Sequence, residues 1–358
     1  MDIGYLTFWG PKPDESVTEG YAANLKEVAA ADEIGMDSVW VGGVPLGGIQ
    51  PLQIAPAIAA VTSRIRIGTA VHLPHLRAPG EKFETNVREG GSRIDRRGQA
   101  GERYKYVFDN LPQANPINVA EQIAIIDQVS NGRFIYGAGG NTTGDPRRQR
   151  HFLEYLDVMK KVWTEDQFSG YEGEFFNYPP LPGVSRINPK PVQQPHPQIL
   201  LPLDSQQNFI PMGKSGYCIA IGGGSSHNER GDAVLKQDVA NYRQAWKDAD
   251  NPGKPRVVIR ITAHVSASQA EVDRIREAAD RARAERMAAR GQSPRQGGPE
   301  RGSNLVGTPP EVVDRIHELE EDFGADEIMC TWMGRTLSRE DVVQTMQLMA
   351  DEVMPKVK

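Results

Sequence analysis

The chain has very little cysteine, no long hydrophobic run and no excess of basic residues. Its two cysteines, Cys218 and Cys330, lie in apolar runs, so a disulfide framework is excluded and buried reduced thiols are expected. No stretch approaches the roughly 18 apolar residues that cross a bilayer, and the N-terminal residues lack the pattern of a signal peptide. The formal net charge of −6 gives no reason to expect nucleic acid as a partner. A cytoplasmic protein that binds neither membrane nor nucleic acid is therefore expected.

Short β-rich segments alternate with longer helical patterns along the chain, which is typical of parallel βαβ units. The predicted strands are Asp2–Phe8, Asp37–Gly42, Ile65–Val71, Arg133–Ala138, Gln198–Leu203, Gly216–Ile221, Val257–Ala263 and Glu327–Thr331. The predicted helices are Val17–Ile34, Leu52–Thr62, Val119–Val129, Arg148–Trp163, Gln206–Lys214, Asp232–Lys247, Gln269–Ala289, Pro310–Phe323 and Arg339–Met354. This alternation favours one α/β domain over residues 1–358, a closed (β/α)₈ TIM barrel, although periodicity alone also allows an open doubly wound sheet.

Three segments depart from this alternation of strands and helices. Residues 79–116 form a long polar insertion after the third strand, where connections of a barrel build the active site, so a lid is one interpretation. Residues 288–303, after the seventh strand, are rich in Gly, Pro and Arg, and a mobile loop is expected there. Aromatic and polar residues alternate over Phe168–Pro180, which predicts a β-hairpin.

Several short strings, in the same order along the chain, together resemble the bacterial luciferase-like, flavin-dependent oxidoreductases. They are Ser63–Ala70, Ala120–Gln122 with Ile126–Phe134, Asn188–Pro197, Val306–Pro309 and Asp351–Pro355. The resemblance covers nearly the whole chain except the insertion. It implies a (β/α)₈ barrel that binds reduced flavin at its C-terminal mouth, commonly as a homodimer.

The resemblance also implies an activity. A separate NAD(P)H:flavin reductase supplies reduced FMN, and the enzyme uses it with O₂ to oxygenate a small, largely apolar organic molecule. A second branch of the family uses the deazaflavin F420 for hydride transfer, and a non-catalytic partner subunit is a third interpretation. Luciferase carries a histidine pair where Gly43–Pro45 aligns here, so light-emitting aldehyde chemistry is not expected.

The flavin phosphate is expected at the segment that follows the fifth strand and opens a helix. A helix N-terminus offers free N–H groups and a partial positive charge. Ser205 and Asn208 add side-chain donors at helical spacing. By resemblance, Asp204 and Ser205 align with the acidic–Ser phosphate segment of the family. Without the family, a role of Asp204 or Ser205 as an N-cap is enough to explain these residues.

A glycine-rich loop follows the fourth strand. Gly139, Gly140 and Asn141 allow close approach of the backbone to a ligand, but the loop is not a dinucleotide fingerprint. The family often has a phosphate-binding arginine where Gly140 aligns. Arg147 or Arg148 can substitute for it as a bidentate partner, and solvated charges at a helix start are the alternative.

The end of the third strand is the expected support of the flavin ring. The resemblance implies a non-prolyl cis peptide at Ala70–Val71. His72 is the first candidate for acid–base chemistry, ahead of His75 and His227, because imidazole titrates near neutrality; a structural role is the alternative.

Two aromatic residues at strand ends are the candidates for the substrate pocket. Phe8 and Trp332 are chosen, with a role in the apolar core as the ordinary explanation. No His, Cys, Asp or Glu cluster has the spacing of metal ligands, so no metal is expected.

Overall fold

The alternation of strands and helices predicted from the sequence is present in the computed structural model. It describes residues 1–12, 14–43, 49–74, 83–88, 103–108, 114–139, 146–183, 186–203, 206–222, 232–288, 304–332 and 337–358. The strands are β1 Asp2–Thr7, β2 Ser38–Val41, β3 Arg66–Thr69, β4 Phe83–Arg88, β5 Arg103–Phe108, β6 Phe134–Gly137, β7 Tyr171–Glu172, β8 Asn177–Tyr178, β9 Gln198–Pro202, β10 Cys218–Ile221, β11 Val257–Val265, β12 Asn304–Gly307 and β13 Glu327–Trp332. All of the predicted strands are among them.

The main sheet is a closed parallel barrel. Its strands hydrogen-bond in the order β10, β9, β6, β3, β2, β1, β13, β11, and β10 also pairs with β11. This last pairing closes the ring of eight strands, so the fold is a (β/α)₈ TIM barrel and the open sheet is excluded. β12 was not predicted; it pairs with Thr262–Val265, beyond the residues of β11 that β10 covers.

The helices lie close to their predicted positions. They are α1 Val17–Ile34, α2 Pro51–Val61, α3 Pro116–Val129, α4 Pro146–Thr164, α5 Phe209–Lys214, α6 Asp232–Asp248, α7 Gln269–Ala288, α8 Pro309–Phe323, α9 Arg339–Leu348 and α10 Met354–Val357. A 3₁₀ turn, Gln206–Asn208, precedes α5, so the helix after β9 is shorter than predicted. A π-helical turn, Met349–Val353, joins α9 to α10.

The three segments that depart from the alternation of strands and helices are partly described by the structure. Within 79–116, β4 and β5 form an antiparallel pair that the sequence did not reveal; a role as a lid stays a prediction. β7 and β8 pair antiparallel, which confirms the hairpin predicted for Phe168–Pro180. Residues 289–303 lie outside the described part of the chain, and with them nearly all of the loop expected to be mobile.

Tight packing divides the chain into two compact units. The first unit comprises residues 1–7, 29–39 and 203–358, and the second unit comprises 8–28 and 40–202. In the first unit, the carboxylate of Glu327 is fully buried. It accepts hydrogen bonds from the Ser38 hydroxyl and from Arg256 Nη2, the latter at 2.6 Å. Because an unpaired buried carboxylate is strongly destabilising, these partners account for its burial.

The two cysteines also lie in the first unit. Cys218 on β10 and Cys330 on β13 are buried free thiols, as predicted. Burial raises the pKa of the Cys330 thiol, which therefore stays protonated and unreactive.

In the second unit, one arginine donates hydrogen bonds to three chain segments. Arg133 donates to the carbonyl of Ser130 after α3 at 2.8 Å and to that of Ile65 before β3 at 2.7 Å. It also donates to the carbonyls of Ala59 and Thr62 at the end of α2, at 3.3 and 3.0 Å. Its planar fork of donors suits this arrangement, so the Asn-Gly-Arg-Phe string shared with the family has a structural role here.

Candidate cofactor site

The candidate site in the second unit is built where β3 and β6 end. His72 N donates to Gly137 O at 2.8 Å, and Gly139 N donates back to His72 O at 3.0 Å. Ala70 N donates to Val41 O, at the end of β2, at 2.8 Å. These hydrogen bonds continue the sheet beyond its strands and fix the backbone from Ala70 to His72.

The Ala70–Val71 peptide bond is cis, as the resemblance implies. Both residues are half-buried and carry small apolar side chains. Glycines lie on either side of Val71. A β-carbon at Gly43 would lie 2.5 Å from Val71 O, and one at Gly139 would lie 2.8 Å from Val71 Cγ2.

These glycines let the neighbouring backbone pack directly against Val71. A β-carbon at either position would overlap Val71, so the close packing on both sides fixes the end of β3. Ala70 and Val71 present small, half-buried apolar side chains there, and such a surface fits a planar, largely apolar isoalloxazine ring. We call Gly43, Ala70, Val71 and Gly139 the glycine-flanked shelf.

His72 is held by a tyrosine. Its Nδ1 lies 2.9 Å from the hydroxyl of Tyr136 on β6, whose side chain is fully buried. Burial raises the pKa of Tyr136, so its hydroxyl is neutral. The buried hydroxyl of Tyr155, on α4, lies next to that of Tyr136.

The sequence did not single out either tyrosine. Tyr136 looked like an ordinary apolar strand residue, and Tyr155 like one residue of an amphipathic helix. Only the pairing of a residue after β3 with one on β6 shows the contact. A tyrosine inside an otherwise apolar strand is the sole signal that could have drawn attention to Tyr136.

The predicted pocket aromatics occupy different units. Phe8 belongs to the second unit, is 39% exposed, and packs its ring against Gly42 at the end of β2. Trp332 belongs to the first unit, at the end of β13, and is 7% exposed. Its indole N–H has no hydrogen-bond partner among the residues described. Both remain predictions as pocket residues.

The predicted phosphate-binding residues are only partly described. Asn208, in the first unit, ends the 3₁₀ turn before α5 and makes no capping hydrogen bond with its side chain. Arg147, in the second unit, lies at the start of α4 with its guanidinium 5.5 Å from the centre of the Phe175 ring. Asp204, Ser205, Gly140, Asn141, His75 and His227 lie outside the described residues. The phosphate site therefore stays a prediction.

Candidate metal sites and candidate membrane-spanning helices are absent from the described ranges. No group of three or more His, Cys, Asp or Glu side chains there is placed to hold a metal ion. Nor do those ranges include a helix that combines the length and the apolar character needed to span a membrane.

Comparison with known proteins defines the family. The model of the luciferase-like monooxygenases matches residues 1–84 and 109–327. The chain therefore belongs to the luciferase-like monooxygenase family, as its sequence strings indicated.

Three curated relatives show the range of the family. An uncharacterized protein of Mycobacterium tuberculosis is 28% identical over 211 residues, which are 56% of this chain and 57% of that protein. An FMNH(2)-dependent dimethylsulfone monooxygenase of Pseudomonas putida is 31% identical over 28% of this chain and 30% of its own. An F420-dependent glucose-6-phosphate dehydrogenase of Amycolatopsis mediterranei is 26% identical over 41% of this chain and 38% of its own. The chain thus matches little more than half the length of these relatives, or less.

Solved structures share the fold over the whole chain. A monooxygenase of Streptomyces bottropensis superposes with a TM-score of 0.74 at 19% identity and covers 100% of both chains. The oxygenating constituent of 3,6-diketocamphane monooxygenase of Pseudomonas putida, in complex with FMN, gives a TM-score of 0.72 at 18% identity over 100% of this chain and 99% of its own. At these identities the likeness establishes the fold alone.

Proposed function

We propose that this chain is a flavin-dependent monooxygenase that uses reduced FMN and O₂ to oxygenate a small, largely apolar organic molecule. The observation that carries the proposal is the glycine-flanked shelf, where the small, half-buried apolar side chains of Ala70 and Val71 at the end of β3 suit a planar ring. The FMNH(2)-dependent relative and the FMN complex on the same fold support the choice of cofactor. A separate NAD(P)H:flavin reductase supplies the reduced flavin, and the active form is a cytoplasmic homodimer.

The residues take separate roles in this proposal. Ala70 and Val71 support the ring, while the predicted Asp204–Asn208 segment and Arg147 bind the phosphate. When bound, reduced FMN supplies two electrons, so that one atom of O₂ enters the substrate and the other leaves as water.

The remaining candidates shape the space around the reacting atoms. Phe8 and Trp332 present aromatic surfaces that favour an apolar substrate and exclude water, which protects reactive species from side reactions. His72, at the edge of the shelf, is the candidate to donate a hydrogen bond or a proton. Its contact with the buried Tyr136 gives the imidazole a fixed orientation.

An F420-dependent oxidoreductase is the second candidate, because one curated relative and a solved secondary alcohol dehydrogenase on this fold use F420. A non-catalytic partner subunit is the third. Asp204 and Ser205, which align with the phosphate segment of the family, argue against it.

Anaerobic titration with reduced FMN and with reduced F420 separates the first two candidates. We expect reduced FMN to bind at micromolar concentration or tighter and to outcompete F420. Tighter binding of F420 would overturn the FMN assignment, and binding of neither would favour the silent subunit. With reduced FMN and O₂, active protein consumes oxygen and forms an oxygenated product from an accepted substrate.

A pair of variants tests the phosphate site. Ser205→Arg places a bulky side chain where the phosphate is expected and should abolish micromolar binding of reduced FMN. Ser215→Arg is the matched control, since Ser215 is an exposed residue at the other end of α5. Equal FMN binding by the two variants would contradict the placement of the phosphate.

A further inference from the structure

The turn of the β7–β8 hairpin is fixed on α4 by one carboxylate. Three successive backbone N–H groups, those of residues 174–176, donate to the carboxylate of Glu154 at 3.1, 2.9 and 2.7 Å. Within the turn, Gly173 N donates to Phe176 O at 3.0 Å. Hydrogen bonds to a charged acceptor are roughly twice as strong as neutral ones. The side chains of the turn therefore have a defined place against α4.

The ring of Phe175, in this turn, lies against two side chains of α4. The Arg147 guanidinium carbon is 5.5 Å from the centre of the ring. The His151 ring is stacked on it, with centres 4.4 Å apart and planes at 15°. Because side chains four residues apart lie on the same face of a helix, Phe175 packs against two successive turns of α4.

The neighbouring ionisable groups leave one permanent cation at this ring. Arg150 donates to Glu174 through Nε at 3.1 Å and through Nη2 at 3.3 Å, and this pairing, more than the charge of Arg147, lowers the pKa of the Glu174 carboxyl. Burial lowers the pKa of His151, against the opposing effect of Glu154, so the stacked imidazole is neutral near pH 7. Arg147 is exposed to solvent and stays protonated.

Holding an arginine in place favours its use as an anion ligand. An arginine side chain has high rotamer entropy, and a ligand that must immobilise it binds more weakly. Phe175 attracts the guanidinium electrostatically and offers no oxygen or nitrogen to its N–H donors. The contact therefore restricts Arg147 without using those donors. Helix stability gives no reason for an arginine at this position, since the N-terminal turn of a helix disfavours cations.

We propose that Phe175 is a positioning residue, which restricts the guanidinium of Arg147 so that it binds the phosphate of reduced FMN as a preorganised donor. Glu154 acts one step behind, because it holds the turn that carries Phe175. The placement of Phe175 follows from contacts within the second unit, whereas the role towards a phosphate rests on the proposed function. The β7–β8 hairpin then contributes to cofactor binding without contact between Phe175 and the cofactor.

Reduced FMN and reduced riboflavin test the role towards the phosphate, because the two molecules differ only in that group. Anaerobic titration gives both dissociation constants, and the preference for FMN over riboflavin is the readout. Wild type should prefer reduced FMN. In Phe175→Leu we expect this preference to fall roughly 2- to 5-fold, the range of an exposed cation–π contact, while riboflavin binds as before. A loss of stability alone would weaken the binding of both ligands alike.

Two further variants make this test specific. Arg147→Met keeps the aliphatic stem, removes the guanidinium and should lower the preference at least as much as Phe175→Leu does. Phe176→Leu is the matched control in the same turn. Phe176 is buried and packs against His151 and Tyr155, so its truncation destabilises the hairpin and should leave the preference unchanged. Near-ultraviolet circular dichroism checks that each variant is folded.

The outcomes separate the positioning role from the proposed function. An unchanged preference in Phe175→Leu or in Arg147→Met, or an equal fall in Phe175→Leu and Phe176→Leu, would overturn the positioning role, while binding of reduced FMN by wild type would still support the proposed function. Equal affinity of wild type for reduced riboflavin and reduced FMN would also overturn it, because the phosphate would then add nothing to binding. If wild type binds neither, the proposed function fails and the role of Phe175 fails with it.

Discussion

Replacing Gly43 by alanine is the sharpest test of the glycine-flanked shelf. The new β-carbon would lie 2.5 Å from Val71 O and 2.9 Å from Pro51 Cγ. A backbone oxygen and a proline ring cannot move aside as the end of a flexible side chain can. Overpacking of this kind costs about 1–3 kcal/mol, and the relief of the contact must displace the carbonyl of Val71.

The expected result is a loss of both stability and cofactor binding. Urea unfolding should show a decrease of about 1–3 kcal/mol in the free energy of unfolding. If the displaced carbonyl disturbs the bound state by a similar amount, reduced FMN binds roughly 5- to 150-fold more weakly, at 1.4 kcal/mol for each factor of ten. Anaerobic titration of flavin absorbance or fluorescence measures this constant.

A second glycine provides the control. Gly253 has φ of +76° and open space where a β-carbon would lie, so Gly253→Ala strains the backbone without a steric contact. It should cost about 1–2 kcal/mol of stability and leave the affinity for reduced FMN unchanged. If Gly43→Ala is destabilised but binds reduced FMN as tightly as wild type does, the shelf is not the ring site.

Two further predictions concern stability. Arg133→Met keeps the aliphatic stem but leaves carbonyls such as that of Ile65 without their donor. Chemical denaturation should show a decrease of roughly 2–4 kcal/mol in the free energy of unfolding, and Arg133→Lys should lie between this variant and wild type. A decrease within error of zero would refute the structural role of Arg133. Burial lowers the pKa of His264 below its usual 6.5, against the opposing effect of Glu271. The unfolded chain therefore takes up a proton first as pH falls, so this stabilisation is complete above pH 6.5 and is lost as pH falls through the lower pKa of the folded state. The difference in unfolding free energy between wild type and His264→Gln should shrink over that interval, and a difference independent of pH would contradict the assignment.

The sequence by itself determined the order and type of the barrel elements. Strands such as Glu327–Trp332 are short buried runs next to helices with apolar periodicity, and both signals are local. The ends of the elements were predicted less accurately. The helix after β9 was expected to begin at Gln206, but Gln206–Asn208 form a 3₁₀ turn and α5 begins at Phe209. The family strings also indicated the cis bond at Ala70–Val71, which no property of the residues themselves reveals.

Only the tertiary structure decided which residues meet. The sequence has no signal for β12, a short strand that forms because the far end of β11 offers an edge that β10 does not cover. Likewise, the contact of His72 with Tyr136 spans 64 residues and depends on the register of β3 against β6. The periodicity of each strand tells which side chains are buried, but the relative position of two strands is fixed by the packing of the whole sheet. For this reason the glycines beside Val71 and the tyrosine behind His72 become visible only in the folded chain.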